Sequence, residues 1–261
     1  MIYVITHKIF DDELLNDDEY AVLHVGLNDN CKPTYIRDDL GDNISGKNPY
    51  YCELTGLYWI WKNSTESGKE PVGLVHYRRF FTYPIEEFLY TYTGRMPRIL
   101  KNLDVKKTLK TYDAIMPTPE RIFRTVEEFY KDHHNPNDLV TVRNVIEKLY
   151  PDYLKTYDEV LHEHYFYFAN MIITKKEILD QYCEWLFNIM TEVEKIIIGS
   201  EIKDSYQSRI YGFISERLIQ VWIEHNALRV KTYPVFNTEK RRTTIFQKNL
   251  NRVKHMIKRC L

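Results

Sequence analysis

The stretch VGLVHYRRFF, residues 72–81, runs an apolar β-type segment (72–77) straight into two adjacent arginines. In open α/β sheets, ligands bind outside the carboxyl ends of the strands, so this pair of charges sits where a ligand would lie. Further β-type runs occur outward from it: IYVIT (2–6), AVLHVG (21–26), AIMP (114–117), YFYFANMIIT (165–174) and LRVKTYPVF (228–236). Helical patterns separate them. Tyr50, Leu54, Leu57, Tyr58 and Trp61 recur at helical spacing after Asn48-Pro49, an N-cap residue followed by proline at the first helical position. Thr125 to Glu128 and Thr174 to Glu177 have capping-box spacing, and a long helix is expected after the second, with Ile178, Tyr182, Trp185 and Leu186 turned inward. Strands alternating with helices predict an α/β layer structure with a mostly parallel central sheet. It is read as one domain over residues 1–239 with a tail at 240–261.

Composition agrees with a packed globular core: 44% of residues are hydrophobic and 28% charged. The aromatic load, with 21 Tyr, 12 Phe and 4 Trp, suits flat polar ligands such as sugars and bases as well as cores. The four cysteines have no metal-site spacing, and the chain opens on strand-like MIYVIT without a leader pattern; a reducing, cytoplasmic compartment is expected. No apolar run approaches the ~20 residues of a bilayer span. Net charge is −1, yet residues 240–261 hold eight Lys or Arg and no acid, which leaves 28 basic against 37 acidic residues elsewhere. An acidic body with a basic tail excludes a nucleic-acid-binding domain. In that tail Phe246, Leu250, Val253 and Ile257 recur at helical spacing, with Lys240, Arg241 and Arg242 before them. A basic amphipathic helix of this kind lies on an anionic membrane surface; the alternative is packing of its apolar side on the acidic body.

Guanidinium groups bind phosphates in a bidentate way and stay charged at any working pH, so Arg78 and Arg79 read as a phosphate clamp. The plainer reading points one to solvent and pairs the other with an acid such as Asp113. Arg217 shares the apolar stripe of Ile210, Ile214, Leu218 and Val221, where a charge must be paired if buried. Its partner is a structural carboxylate or a ligand phosphate. Arg209 and Glu216 lie seven residues apart on a neighbouring face, as a structural pair or with Glu216 as a general base. His133 and His134, with His162 and His164 beyond, lack metal-site spacing, and Asn137 or Asp138 reads as a helix cap. GDNISGKN (41–48) is one residue short of the phosphate loop G-x-x-x-x-G-K-[ST], because Asn48 cannot replace the hydroxyl that holds magnesium.

Several of these stretches together resemble the DUF4422 family (a domain of unknown function) found in capsular and exopolysaccharide gene clusters. They are Thr6-His7-Lys8; Asp38 with Gly41-Asp42-Asn43-Ile44-Ser45 and Lys47-Asn48; Tyr51-Cys52-Glu53-Leu54-Thr55; Tyr58-Trp59 with Trp61-Lys62-Asn63; Gly73-Leu74 with His76-Tyr77-Arg78-Arg79; Ala169-Asn170-Met171; and Ser215-Glu216-Arg217-Leu218. The resemblance covers roughly residues 1–236. It implies a GT-A-like fold and a sugar-nucleotide-dependent glycosyltransferase, with galactose or galactofuranose as the transferred sugar and a UDP-sugar as donor. A phosphohydrolase or phosphotransferase using the same arginines, and a non-catalytic saccharide-binding protein, are the alternatives. On this reading Thr6, His7, Lys8, His76, Tyr77, Arg78, Arg79, Arg209, Arg217 and Asn170 surround the donor. Asp38, Asn43, Ser45, Lys47 and Asn48 meet the acceptor, a glycan or lipid-linked saccharide. Asp42 and Glu216 lead the candidates for catalytic base, followed by Asp38 and His134. GT-A folds usually hold a divalent metal with a D-x-D pair; none occurs here, so arginine charge is expected to replace the metal. Peripheral attachment to the inner face of the cell membrane through the tail completes the expectation.

Overall fold

The computed structural model describes residues 1–13, 15, 20–197 and 207–239; the amphipathic helix expected at 240–261 lies outside them. The strands are β1 (Ile2–Thr6), β2 (Tyr20–His24), β3 (Ile36–Arg37), β4 (Pro71–His76), β5 (Arg79–Phe81), β6 (Ala114–Pro117), β7 (Glu120–Arg121), β8 (Tyr165–Phe166), β9 (Ile172–Lys175), β10 (Val230–Tyr233) and β11 (Val235–Asn237). The helices are α1 (Asn48–Tyr51), α2 (Leu54–Asn63), α3 (Pro84–Thr93), α4 (Asn102–Thr108), α5 (Val126–His133), α6 (Asn137–Leu149), α7 (Leu154–His162), α8 (Lys176–Ile197) and α9 (Ile210–His225). The central sheet has the order β10-β6-β9-β4-β1-β2-β3. Within that path β9 alone runs antiparallel to its neighbours, so the sheet is mostly parallel, as the alternation of strands and helices predicts.

Both faces of the sheet are covered. Side chains alternate along a strand, so β1 sends Tyr3 and Ile5 to one face and Ile2 and Val4 to the other. The first pair joins a large core with Leu23, Leu74, Met116 and Ile172, closed by residues of α2, α6, α8 and α9. The second joins a smaller core with Val75, Ile115 and Ile173, closed by Phe80, Phe81, Leu100 and, from the α4 segment, Val105 and Leu109. Burial on both faces explains why these strands read as unbroken apolar runs. The long helix α8 turns Tyr182, Trp185 and Leu186 inward, while Ile178 is only partly covered. No helix among the described residues is long and apolar enough to cross a membrane.

Four expectations are corrected. The run 165–174 is not one strand: Ala169 (φ 76°) and Asn170 (φ 45°) are left-handed and reverse the chain between β8 and β9. The run 228–236 breaks at Pro234, which has no N–H for a ladder; β10 pairs with β6, and β11 turns to pair with β5. The helix after Asn48-Pro49 is interrupted at Cys52 (φ 51°), and Asn48 does not cap it. Its amide donates instead to Cys52 O (2.8 Å) and Thr55 Oγ1 (3.1 Å), and Tyr50 faces outward. Thr174 belongs to β9 and donates to Asp113 O at 2.5 Å, whereas Thr125 does form its capping box with Glu128.

At the centre of the sheet β4 and β9 approach so closely that a Cβ on Gly73 would lie 2.2 Å from the carbonyl oxygen of Ile172 and 2.5 Å from Ile173 Cα. Both obstacles are backbone, so the strand pair itself would have to move. Gly73→Ala is expected to destabilise the fold by about 1–3 kcal/mol, the range for overpacking a tight core, read as a lower urea midpoint at unchanged slope. An unchanged midpoint would show that the strands can spread.

Candidate active site

β1, β2 and β4 are parallel, so their carboxyl ends emerge along one edge, where the structure has a cleft of about 840 Å³. Thr6 ends β1 and His7 follows it; His76 ends β4, Tyr77 and Arg78 follow it, and Arg79 opens β5, all lining the cleft. Cys52 and Glu53 enter from the break between α1 and α2; Arg209, Gly212, Phe213, Glu216 and Arg217 enter from α9 and the turn before it; His133 and His134 close the far side.

The two arginines of the RR pair differ. Arg78 Nη1 is 3.0 Å from Glu239 Oε2, and Lys8 reaches the same carboxylate at 3.5 Å, so Asp113 is not the partner; it pairs with Arg229 and Lys175. Arg79 has no ion pair or side-chain hydrogen bond among the described residues. It is half-buried and lines the cleft. Desolvation, then the charge of Arg78, pulls its guanidinium below the usual value, against the attraction of Glu53 and Glu216. It nevertheless remains a cation at working pH.

Arg217 is 2% exposed. Its Nη1 donates to Phe213 O (2.8 Å) and to Glu216 Oε2 (3.0 Å), and the guanidinium lies over the Tyr130 and Phe166 rings at 5.1 and 4.7 Å. The buried charge is therefore paired with its own neighbour in sequence. Glu216 Oε1 also accepts the Ala169 N–H at 2.9 Å. Burial pushes the Glu216 carboxyl above the usual range, opposed by Arg217 and reinforced by Glu53. The same turn holds His76, whose Nε2 lies 2.6 Å from Ala169 O. Because a carbonyl only accepts, Nε2 carries the proton, and burial lowers the ring's affinity for a second one. Asn170 next to it donates to Glu53 Oε1 (2.7 Å) and Gly212 O (3.1 Å), and its Oδ1 lies 2.9 Å from Ser215 Oγ. Asn170 thus sits beneath the cleft as a brace.

The other expected residues divide. His134 lines the cleft, stacked on Phe213 at 4.1 Å, with Nδ1 3.2 Å from Gln207 Oε1. Arg209 lines it too, donating from Nε to Cys52 Sγ at 3.2 Å. Of the acceptor set only Asn48 reaches the lining. Asp38 is fully buried and does not face the cleft. Its Oδ1 accepts Gly26 N–H (3.0 Å) and Ser45 Oγ–H (2.5 Å), so it and Ser45 pin the loop from beneath. Asp42 is exposed outside the lining and accepts from Tyr58 OH at 3.1 Å. Asn43 folds onto Gly41 O and Ser45 N–H, and Lys47 is tied to Glu194 at 2.6 Å. GDNISGKN is a polar loop leading into α1, and its lysine is occupied by a carboxylate. Among the described residues, no three His, Cys, Asp or Glu side chains are grouped so as to hold a metal ion.

Glu53 and Cys52 have no assigned role in the sequence, because the helical pattern reads as continuous through them; only the left-handed Cys52 turns Glu53 into the cleft.

With this geometry in place, three comparisons bear on it. A family model described as a domain of unknown function (DUF4422) matches residues 1–227. The apo structure of WbbM, a bifunctional glycosyltransferase, superposes with a TM-score of 0.78 at 28% sequence identity over 92% of this chain and 45% of that one. The chain therefore spans less than half of that protein. No curated protein matches it.

Two outcomes follow from the geometry. Asn170→Ala removes three hydrogen bonds, two of them buried, and is expected to cost about 3 kcal/mol, seen as a lower melting temperature; an unchanged one would show the brace to be dispensable. Burial pushes the Cys52 thiol up to about 11, so the thiol holds its proton to higher pH than usual. Its iodoacetamide alkylation rate, followed by peptide mass, should still climb above pH 9.0, the ordinary thiol value. A plateau there would contradict the burial.

Proposed function

The chain belongs to the DUF4422 family, and we propose that it is a glycosyltransferase that moves a sugar, galactose or galactofuranose, from a UDP-sugar donor to a glycan acceptor. The observation that carries this reading is Arg79, a half-buried cation with no ion pair or side-chain hydrogen bond among the described residues, at the carboxyl edge of a parallel sheet whose fold matches that of a glycosyltransferase. A diphosphate supplies the counter-charge. As the bond from the sugar to the diphosphate breaks, negative charge grows on the departing oxygen, and a preorganised cation stabilises that state more than the ground state. Arg78 assists from the neighbouring position but shares its charge with Glu239. Arg217 is committed to Glu216 and the two rings, so its part in the cleft is structural.

Among the described residues no three His, Cys, Asp or Glu side chains are grouped for a divalent ion of the kind GT-A folds hold. There is no D-x-D pair, and both oxygens of Glu216 are already engaged. Arginine charge takes over the task. The acceptor is a growing capsular or exopolysaccharide chain, lipid-linked at the cytoplasmic face of the membrane, with the basic tail resting on the anionic surface.

Incubation with a panel of nucleotide sugars, following diphosphate release and product mass, tests the reading. Consumption of nucleotide without a glycosylated product would indicate a phosphohydrolase, and no turnover a binding protein. Transfer is expected to survive EDTA. Arg79→Ala should lower kcat/KM by about 100-fold or more, with a smaller loss in Arg78→Ala and an unchanged melting temperature in both. Near-normal turnover in Arg79→Ala, or activity that returns only with manganese, would overturn the clamp.

A further inference from the structure

The cleft contains two carboxylates in different states of engagement. Glu216 has both oxygens committed, Oε1 to the Ala169 N–H and Oε2 to Arg217. With both oxygens occupied, an incoming proton would have to displace the contact with Arg217, which is 2% exposed, or the one with the Ala169 N–H. Glu53 is held by one oxygen only: Oε1 accepts the Asn170 amide at 2.7 Å. Its Oε2 has no hydrogen-bond partner among the described residues, and it is not sealed from solvent, since Glu53 is half-buried and lines the cleft. The left-handed Cys52 before it and the buried Asn170 beneath it fix the direction of the side chain. A carboxylate anchored through one oxygen, with the other open to the ligand space, is what removal of a proton from a bound hydroxyl needs. The exposed Asp42 and the enclosed Asp38 both lie outside this space.

Resting on the glycosyl-transfer reading, we propose that Glu53 is the catalytic base and that transfer inverts the anomeric centre by a single displacement, Glu216 being a positioning residue. The acceptor hydroxyl gives its proton to Glu53 Oε2 while its oxygen forms the new bond to the anomeric carbon. The bond from that carbon to the diphosphate breaks, and its electron pair leaves on the diphosphate oxygen, opposite Arg79.

The test uses UDP-galactose as donor and a set of galactosides as acceptors, with wild type, Glu53→Gln and Glu216→Gln. The amide oxygen introduced by Glu53→Gln can still accept from Asn170, so this variant should keep its melting temperature and bind UDP about as tightly as wild type. Its kcat should fall by about 100-fold or more, the range for loss of a general base. Glu216→Gln should melt at lower temperature yet keep at least about a tenth of the wild-type kcat, as expected of a residue that acts through packing. Nuclear magnetic resonance of the product should show the anomeric configuration opposite to that of the donor. Wild-type transfer with an equally active Glu53→Gln, or with retained configuration, would overturn the assignment of the base and leave the transferase reading standing. Absence of transfer by the wild type with UDP-galactose and with the other donors of the nucleotide-sugar panel would remove both.

Discussion

Assembly of the site depends on one reversal, the left-handed pair Ala169–Asn170. An L-residue in this conformation costs about 1–2 kcal/mol, and asparagine tolerates it better than alanine. The turn persists because it is saturated with bonds: Ala169 N–H to Glu216, Ala169 O with His76, and Asn170 to Glu53, Gly212 and Ser215. Buried hydrogen bonds contribute about 1 kcal/mol each, more when one partner is charged, so the set offsets the strain. Three distant segments, the end of β4, the break after α1 and the face of α9, are locked to one another through these two residues. The same reversal sends β9 back through the sheet as its antiparallel member, so strand topology and site assembly have one cause.

The parallel part of the fold is legible in the sequence because burial on both faces leaves unbroken apolar runs: 2–6, 72–77 and 114–117 correspond to strands within a residue at either end. Reading fails where a single residue leaves the allowed region without an obvious marker. Ala169 and Asn170 sit inside an apolar run, and Cys52 inside a helical one, with no glycine to announce a turn. Pro234 is a marker in plain sight, since proline has no N–H for a ladder, and the run containing it divides there.

At the site, the RR pair is visible in the sequence but the difference between its members is not. That difference comes from Glu239, 161 residues further along the chain, which no local pattern connects to Arg78. Arg217 can be recognised as a charge on an apolar stripe, while its pairing with the adjacent Glu216 depends on how α9 faces Tyr130 and Phe166. The GDNIS loop draws the search for a base to Asp38 and Asp42 through its density of polar residues. In the fold that density serves the loop itself: Asp38 gathers Gly26 and Ser45, and Asn63 gathers Asp42 through its backbone. Polar side chains that saturate one another are not available to a ligand.

The distribution of charge in the cleft carries the mechanism one step further. Arg78 and Arg79 stand on the hairpin from β4 to β5, whereas Glu53 and Glu216 both hang from the Ala169–Asn170 turn. Burial acts on the two signs in opposite directions, holding Glu216 above its ordinary pKa and Arg79 below its own, so each group is short of counter-charge or solvent. A diphosphate placed against the hairpin relieves Arg79, but the same anion near the turn would be repelled by the carboxylates. On the transferase reading, these fixed charges favour a sugar nucleotide with its diphosphate toward the arginines and the hydroxyl-bearing partner toward the turn. Orientation by fixed charges requires no rearrangement at the moment of reaction, which is the condition under which electrostatic stabilisation of a leaving group is most effective.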